Sequence, residues 1–362
     1  MFGRTIMLVT NRCHRVTRPS RYAPSNTLHR KESALKIKLF ELRGDERQAY
    51  ERAVAALPES YTIDAIPDIL SEDNIESVAG YEAVVINNKS ILPAELITRM
   101  GELGVKLLSS RCIGYNHIDI DAAHRMGIHV CNTTYPPYGV AEFAVMLMLM
   151  SLRKCKPALW RQHANDYSLE GLLGRELRTL TVGAMGTGRI GRAVIDNLSG
   201  FGCKILAYDP FPNADLISRG ISYADVNTLI EQSDLITVHM PLMDSTRNII
   251  DAEAISKMRD GVVLINVSRG ELMDTDALID GIEREKIGAL AMDVFEDEAG
   301  IYHENRMNDI LVNRKMAYLR QFPNVLLTNH IAFYTDVDVD SMIEQGVANI
   351  VSMDKGVCAT EL

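Results

Sequence analysis

No Cys-x-x-Cys pair occurs among the six cysteines of this 362-residue chain, which fall at positions 13, 112, 131, 155, 203 and 358. Their scatter argues against a disulfide frame or a zinc site and suits small buried thiols of a reducing, cytoplasmic compartment. Base is not in excess either: Lys and Arg total 38 against 48 Asp and Glu, a formal net charge of −10. That balance argues against nucleic acid as a partner, because phosphate binding needs a basic surface. Long apolar runs are missing. The longest, "VAEFAVMLMLMSL" at 140–152, contains Glu142 and is too short to span a bilayer, so it reads as a buried helix. Low-complexity segments, short repeats and metal-ligand spacings are also absent. What is present is a globular composition, 47% hydrophobic and 24% charged, at a length that favours two domains over one.

Charge is unevenly spread. Residues 1–36 hold eight Lys and Arg against Glu32 alone, a net of +7, which leaves −17 for the rest of the formal −10. The segment lacks lasting periodicity and is read as a basic, disordered extension, with a basic, acid-poor transit peptide as the alternative.

Order is expected from "IKLFEL" at 37–42. Short β-rich runs at 60–66, 82–87, 105–110 and 128–132 alternate with helical patterns such as "PAELITRMGELG". After the apolar helix and a polar interval, a second series of strands follows at 180–185, 203–209, 235–240, 262–268, 288–294 and 325–330. Strands alternating with helices at this spacing imply parallel α/β sheets.

The glycine-rich stretch "TVGAMGTGRIGRAV", 181–194, lies between an expected strand and an expected helix, and the next strand closes on Asp209. In a dinucleotide fold Gly186 permits the tight turn, Gly188 lets the backbone approach a pyrophosphate, and Gly191 allows close helix–strand packing. The helix start would offer its N–H groups to phosphate oxygens. Asp209 would accept bonds from ribose hydroxyls and repel a 2′-phosphate, so NAD is expected in preference to NADP. Ligands of open α/β sheets bind beyond the carboxyl ends of the strands. Those ends here carry Gly186, Asp209, His239-Met240-Pro241, Ser268-Arg269-Gly270, Asp293 with Glu298 beyond it, and His330. An arginine, two acids and a histidine on one rim suit a 2-oxo acid facing a reduced nicotinamide. Charge building on the carbonyl oxygen calls for a proton donor and a fixed positive charge. Histidine beside a carboxylate fits the first need, and an arginine fork the second.

The motifs "VGAMGTGRIG", "AYDPF", "VHMPL", "INVSRGELMDTDAL", "AMDVFEDEAG" and "NVLLTNHIAFYT" resemble the D-isomer-specific 2-hydroxyacid dehydrogenases over about residues 37–350. "SSRCIGYNHIDIDAA", "TYPPYGVAEFA" and "HIAFYT" are most similar to the D-lactate dehydrogenase branch, including its vancomycin-resistance type. The resemblance implies two doubly wound parallel-sheet domains, Rossmann-like and flavodoxin-like, with the NAD domain (135–332) inserted into a substrate domain (37–134 and 333–362). It implies Arg269, Glu298 and His330 as catalytic residues, with His330 the proton donor. Ile113, Gly114, Tyr135, Arg269 and Phe333 would face the substrate. Arg189, Ile190, Asp209, Met240, Pro241, Val267, Ser268 and Asp293 would meet NAD beside the three glycines. The helix at 140–152 would support a homodimer. Pyruvate or a larger aromatic or branched 2-oxo acid is the expected substrate. A glyoxylate or hydroxypyruvate reductase, or a dinucleotide-sensing corepressor of the same fold, are the competing readings. Two departures from the family pattern flank the histidine, Asn329 in place of Pro and Ile331 in place of a small polar residue. A third is Pro136-Pro137 after Tyr135.

Overall fold

A computed structural model describes residues 34–362. The expected extension over 1–36 lies outside the described residues as far as position 33. The first sheet begins earlier than its sequence pattern suggested, at Leu35, because the Leu35 N–H bonds the Ser60 carbonyl and its side chain is buried.

The first unit runs β1 (Leu35–Leu39), α1 (Arg47–Ala56), β2 (Tyr61–Ala65), β3 (Ala83–Ile86), α2 (Ala94–Glu102), β4 (Leu107–Ser110), α3 (Ile120–Met126) and β5 (His129–Asn132). Helices α4 (Tyr138–Leu152) and α5 (Cys155–His163) follow. The second unit then runs β6 (Thr181–Met185), α6 (Arg189–Ser199), β7 (Lys204–Tyr208), α7 (Ala214–Ser218), β8 (Ser222–Tyr223), α8 (Val226–Gln232), β9 (Leu235–Val238), α9 (Ala252–Lys257), β10 (Val262–Asn266), α10 (Thr275–Glu283), β11 (Ile287–Met292), α11 (Arg314–Leu319) and β12 (Val325–Leu327). Helix α12 (Asp336–Asp354) closes the chain.

Every strand pairing is parallel, with strand orders β2-β1-β3-β4-β5 and β12-β11-β10-β9-β6-β7-β8. The first is the flavodoxin-like order and the second extends the Rossmann order, with its switch point between β6 and β9. Successive residues of a strand face opposite sides, and both sides are packed. Val263 and Ile265 of β10 join one core while Val262 and Leu264 join the other. In the first sheet Val84 and Ile86 face one core, Ala83 and Val85 the other. Strands covered on both faces need continuous apolar runs, which is why their positions were readable.

The chain crosses between the sheets twice. Helix α4 packs on β10, β11 and α6, burying Val140, Ala144, Leu147 and Met148, so it belongs to the second unit. Helix α12 returns to the first, laying Ile343, Val347, Ile350 and Met353 against α1 and β4. The second α/β domain is therefore inserted into the first.

The two crossing helices meet at Asp338. Its Oδ2 is buried without a partner, and a Cβ at Gly139 of α4 would come within 2.5 Å of it. Burial, with Asp336 and Glu142 adding like charge, pushes this carboxyl from 3.8 up to about 6. Between those values the native state keeps a proton that the unfolded chain releases, so stability falls as pH rises through the window. The first turn of α12 offsets part of the cost. Asp338→Asn should add about 1–3 kcal/mol at pH 8 and much less at pH 4. Denaturant unfolding at both pH values checks this, and an equal gain at each would refute it.

Candidate active site

The loop after β6 has the shape a pyrophosphate requires. Gly186 lies at φ +92°, and a Cβ there would stand 2.5 Å from the His239 carbonyl oxygen. A Cβ on Gly191 would collide with the Gly186 carbonyl, whereas one on Gly188 would meet nothing within 4 Å. The two outer glycines are thus demanded by packing, and the middle one leaves open space for a ligand. Gly188 caps α6 without a side-chain bond, so the helix start presents free N–H groups to an anion. Ile190, the second residue of α6, packs partly buried on the core beneath. Asp209 stands where β7 ends. Its Oδ2 accepts from the Thr187 N–H at 2.7 Å, and its Oδ1 from the Phe211 N–H at 2.9 Å. Tyr223 of β8 donates its hydroxyl to Thr187, so the acidic residue also braces the glycine loop. These features fit a dinucleotide.

Across the switch point, Ser268 donates its hydroxyl to the Met240 carbonyl at 2.6 Å and ties the β10 end to the β9 end. Met240 and Val267 are buried, while Pro241 is exposed beside them. His239 is held within the fold by a 2.9 Å bond between Nε2 and the Thr237 hydroxyl, and burial pulls it down to about 4. It is neutral and cannot serve as an acid at ordinary pH.

The three residues expected to be catalytic come from the ends of three neighbouring strands. Arg269 follows β10, Glu298 lies in the loop after β11, and His330 follows β12. His330 and Glu298, far apart in sequence, meet with Nδ1 and Oε1 2.5 Å apart. The other oxygen, Oε2, accepts from the Phe295 N–H at 2.7 Å, so the carboxylate is fixed at both ends. With the carboxylate as acceptor, Nδ1 carries a hydrogen and Nε2 is the ring atom free to exchange a proton. Gly270 allows this approach, since a Cβ there would strike the backbone of Phe295 and Glu296. Arg269 donates from Nη1 to the Ser268 carbonyl at 2.6 Å. Its Nη2 lies where a Cβ on Gly114 would project, so the guanidinium reaches the loop after β4 in the other domain. Ile113 gives its carbonyl to Asn132 at 2.6 Å, which fixes that loop. Tyr135 is half-buried, and its phenol is pushed upward by burial first and the nearby Cys112 second. The Phe333 ring stands edge-on to His330, centroids 6.3 Å apart.

The structure adds roles that the residues alone did not disclose. Asp293 is fully buried: Oδ1 accepts from the Thr328 hydroxyl and the Ile331 N–H, and Oδ2 from the Ala332 N–H at 2.7 Å. Whatever it offers a dinucleotide, it fixes the loop bearing His330. Ile331 enters this network only through its backbone, so the unusual side chain there removes none of these bonds. Arg189 donates to the Thr134 carbonyl at 2.9 Å and joins the two domains beside the crossing. Cys112, in the loop with Gly114, donates its thiol to Asn87 at 2.8 Å, and burial raises it to about 11. It remains a thiol and is no nucleophile. Among the described residues, no cluster of His, Cys, Asp and Glu is placed to hold a metal ion, and no helix is long and apolar enough to cross a membrane.

Residues 145–332 match the model of the D-isomer specific 2-hydroxyacid dehydrogenase NAD binding domain. The chain is 39% identical to an aromatic 2-oxoacid reductase of Clostridium sporogenes, over 90% of this chain and 99% of that one. It is 36% identical to a D-lactate dehydrogenase of Escherichia coli, over 81% and 90%. Its fold superposes with a TM-score of 0.80 on D-lactate dehydrogenase from Aquifex aeolicus, solved with NAD and lactic acid, at 32% identity over 88% and 96%. The glycine loop, the braced aspartate and the strand-end rim therefore have their explanation: the chain belongs to the D-isomer specific 2-hydroxyacid dehydrogenases, with NAD as its cofactor.

Proposed function

We propose that this enzyme reduces a 2-oxo acid to the D-2-hydroxy acid, with His330 as proton donor, Glu298 as its partner and Arg269 as the substrate anchor. The observation that carries the reading is the His330–Glu298 bond on the same rim as a guanidinium that reaches Gly114 of the other domain. Gly186, Gly188 and Gly191 with the start of α6 would hold the pyrophosphate, Asp209 the adenosine ribose, and the 240–241 and 267–268 segments the remainder. Bound NADH supplies the hydride that the carbonyl carbon takes up. Arg269 binds the substrate carboxylate through its fork and draws charge toward the adjacent carbonyl oxygen. His330 gives the proton on Nε2 to that oxygen, and Glu298 stabilises and orients the charged ring that precedes the transfer.

The substrate domain is assigned to residues up to 134 and from 333, and the dinucleotide domain to 135–332. Phe333 and Tyr135 leave apolar surface beside the reacting groups, and the ring of Tyr115, next to Gly114 in the chain, is exposed. This favours an aromatic or branched side chain over the methyl of pyruvate. A homodimer through α4 and α5 accounts for two exposed apolar features. Helix α5 buries none of its residues, and Leu159, Trp160, Leu169, Leu173 and Met146 of α4 are exposed around it. Sedimentation at the 40.3 kDa monomer mass would remove that assignment.

Turnover of NADH with pyruvate, phenylpyruvate and 2-oxoisocaproate tests the reading. The expected result is oxidation of NADH with a D-configured product and the highest kcat/KM for one of the two larger acids. Tight NADH binding without turnover of any of the three would overturn it.

A further inference from the structure

The proton donor sits on an unfavourable backbone. His330 has φ +54°, a left-handed conformation that is uncommon for residues other than glycine and costs backbone energy that its surroundings must offset. Asp293 supplies one restraint from the chain that follows. A second comes from the loop after β11: His303 donates its Nε2–H to the His330 carbonyl at 2.9 Å. The His303 ring is 6.0 Å from that of His330 and 6.1 Å from that of Phe333, centroid to centroid. It therefore borders the site without touching the reacting atoms.

What holds His303 comes from the other domain. Lys89, in the loop after β3, pairs through Nζ with Glu304 at 2.6 Å and reaches the His303 carbonyl at 3.4 Å. The Lys89 loop is itself fixed. Glu41, buried after β1, accepts from the backbone N–H groups of Asn87, Lys89 and Ser90, and from the Ser90 hydroxyl at 2.5 Å. A continuous line of polar contacts thus runs from the β1–β3 crevice of one domain to the carbonyl of the proton donor in the other.

We propose that His303 is a positioning residue for His330, and that the Lys89–Glu304 pair carries it into place, so that the approach of the two domains and the aiming of the proton donor are one event. The inference rests on His330 being the donor. A ring that only packs would need no N–H, whereas a positioning ring needs its donor atom and its tether.

The test compares His303→Phe, His303→Gln, Lys89→Met and the Lys89→Met/His303→Phe double variant, with His330→Ala as reference. The readouts are kcat, substrate KM, NADH affinity by fluorescence, and thermal stability. His303→Phe keeps a ring and loses the donor. It should lower kcat by about tenfold to fiftyfold, as for misalignment and not loss of the acid, with KM and NADH affinity within about threefold. Glutamine places an amide N–H near the same point and should restore kcat to within about threefold of the parent, in keeping with retained donor geometry. Lys89→Met should cost about twofold to fivefold, in keeping with a half-exposed pair. The double variant should be no worse than His303→Phe alone, because both act through one element. Parent-like kcat in His303→Phe, equal losses for Phe and Gln, or multiplying losses in the double variant would each overturn the proposal. If His330→Ala turned over normally, the proton-donor reading itself would fail. A dead His330→Ala beside a normal His303→Phe would overturn only the positioning role.

Discussion

Replacing His330 with Ala is expected to lower kcat by about two to four orders of magnitude, the range for loss of a positioned general acid. That corresponds to about 3–5 kcal/mol of transition-state stabilisation. NADH affinity should hardly move, because the groups suited to the dinucleotide lie at the ends of β6, β7, β9 and β10, and Asp293 after β11 is held by Thr328 and by the Ile331 and Ala332 N–H groups, not by a hydrogen bond to the imidazole. The loss should be concentrated in kcat, since the imidazole is needed where charge develops on the substrate oxygen and much less where the ground-state carboxylate is held. Glu298→Gln is the informative companion. It keeps an acceptor for Nδ1–H and for the Phe295 N–H but removes the charge that favours the protonated ring, so an intermediate loss is expected. Steady-state and fluorescence titrations on both variants decide the matter. A His330→Ala enzyme within threefold of the parent would take the histidine out of the reaction.

The residues that form this site were legible in the sequence to an uneven degree, for physical reasons. Strands buried on both faces must be continuously apolar, and β1 and β2 alternate buried with exposed residues, so eleven of the twelve strands among the described residues were located from the residue pattern. Their ends were overrun by one to three residues where a buried loop residue such as Met240 prolongs the run. The two-residue β8 is too short to show a period, and α5, which buries nothing, has no apolar stripe to announce it. The glycine loop was readable because its packing constraints act within a few residues. Arg269, Glu298 and His330 stood out as polar groups following apolar strands, although their joint action was implied by family resemblance and not by spacing. What stayed hidden acts across the two domains or through backbone atoms. His303 bonds a carbonyl, Glu41 accepts three backbone N–H groups, and Asp293 ties down a loop. Apart from the Ser90 and Thr328 hydroxyls, these bonds go to backbone atoms and do not constrain which side chain the partner carries, so no residue pattern betrays them.

The second large effect is expected at a residue with no functional group. Gly114→Val should lower kcat/KM for the 2-oxo acid by about two to three orders of magnitude, the cost of displacing a charge-assisted, two-point anchor. The space a Cβ would need at 114 is filled by Nη2 of Arg269, with Cζ 2.8 Å away. The guanidinium ends a flexible side chain and can yield, but only by leaving the position in which it stands. Its Nη1 is bonded to the Ser268 carbonyl, and Gly270 behind it is packed against the Phe295–Glu296 backbone. A side chain at 114 must therefore expel the fork from the cleft or push the two domains apart, and either outcome separates the anchor from the substrate. Arg269→Lys should produce a comparable loss, because a single ammonium cannot hold a carboxylate bidentately. Combining Gly114→Val with Arg269→Lys should add little to either, since both remove the same interaction. Gly114 has φ outside the left-handed region, so valine there is resisted by the guanidinium and not by the backbone, and the variant is expected to fold. A folded Gly114→Val enzyme with parent-like kcat/KM, its NADH affinity intact, would mean that Arg269 does not work from the position in which it stands. The anchor would then have to be sought elsewhere on the rim.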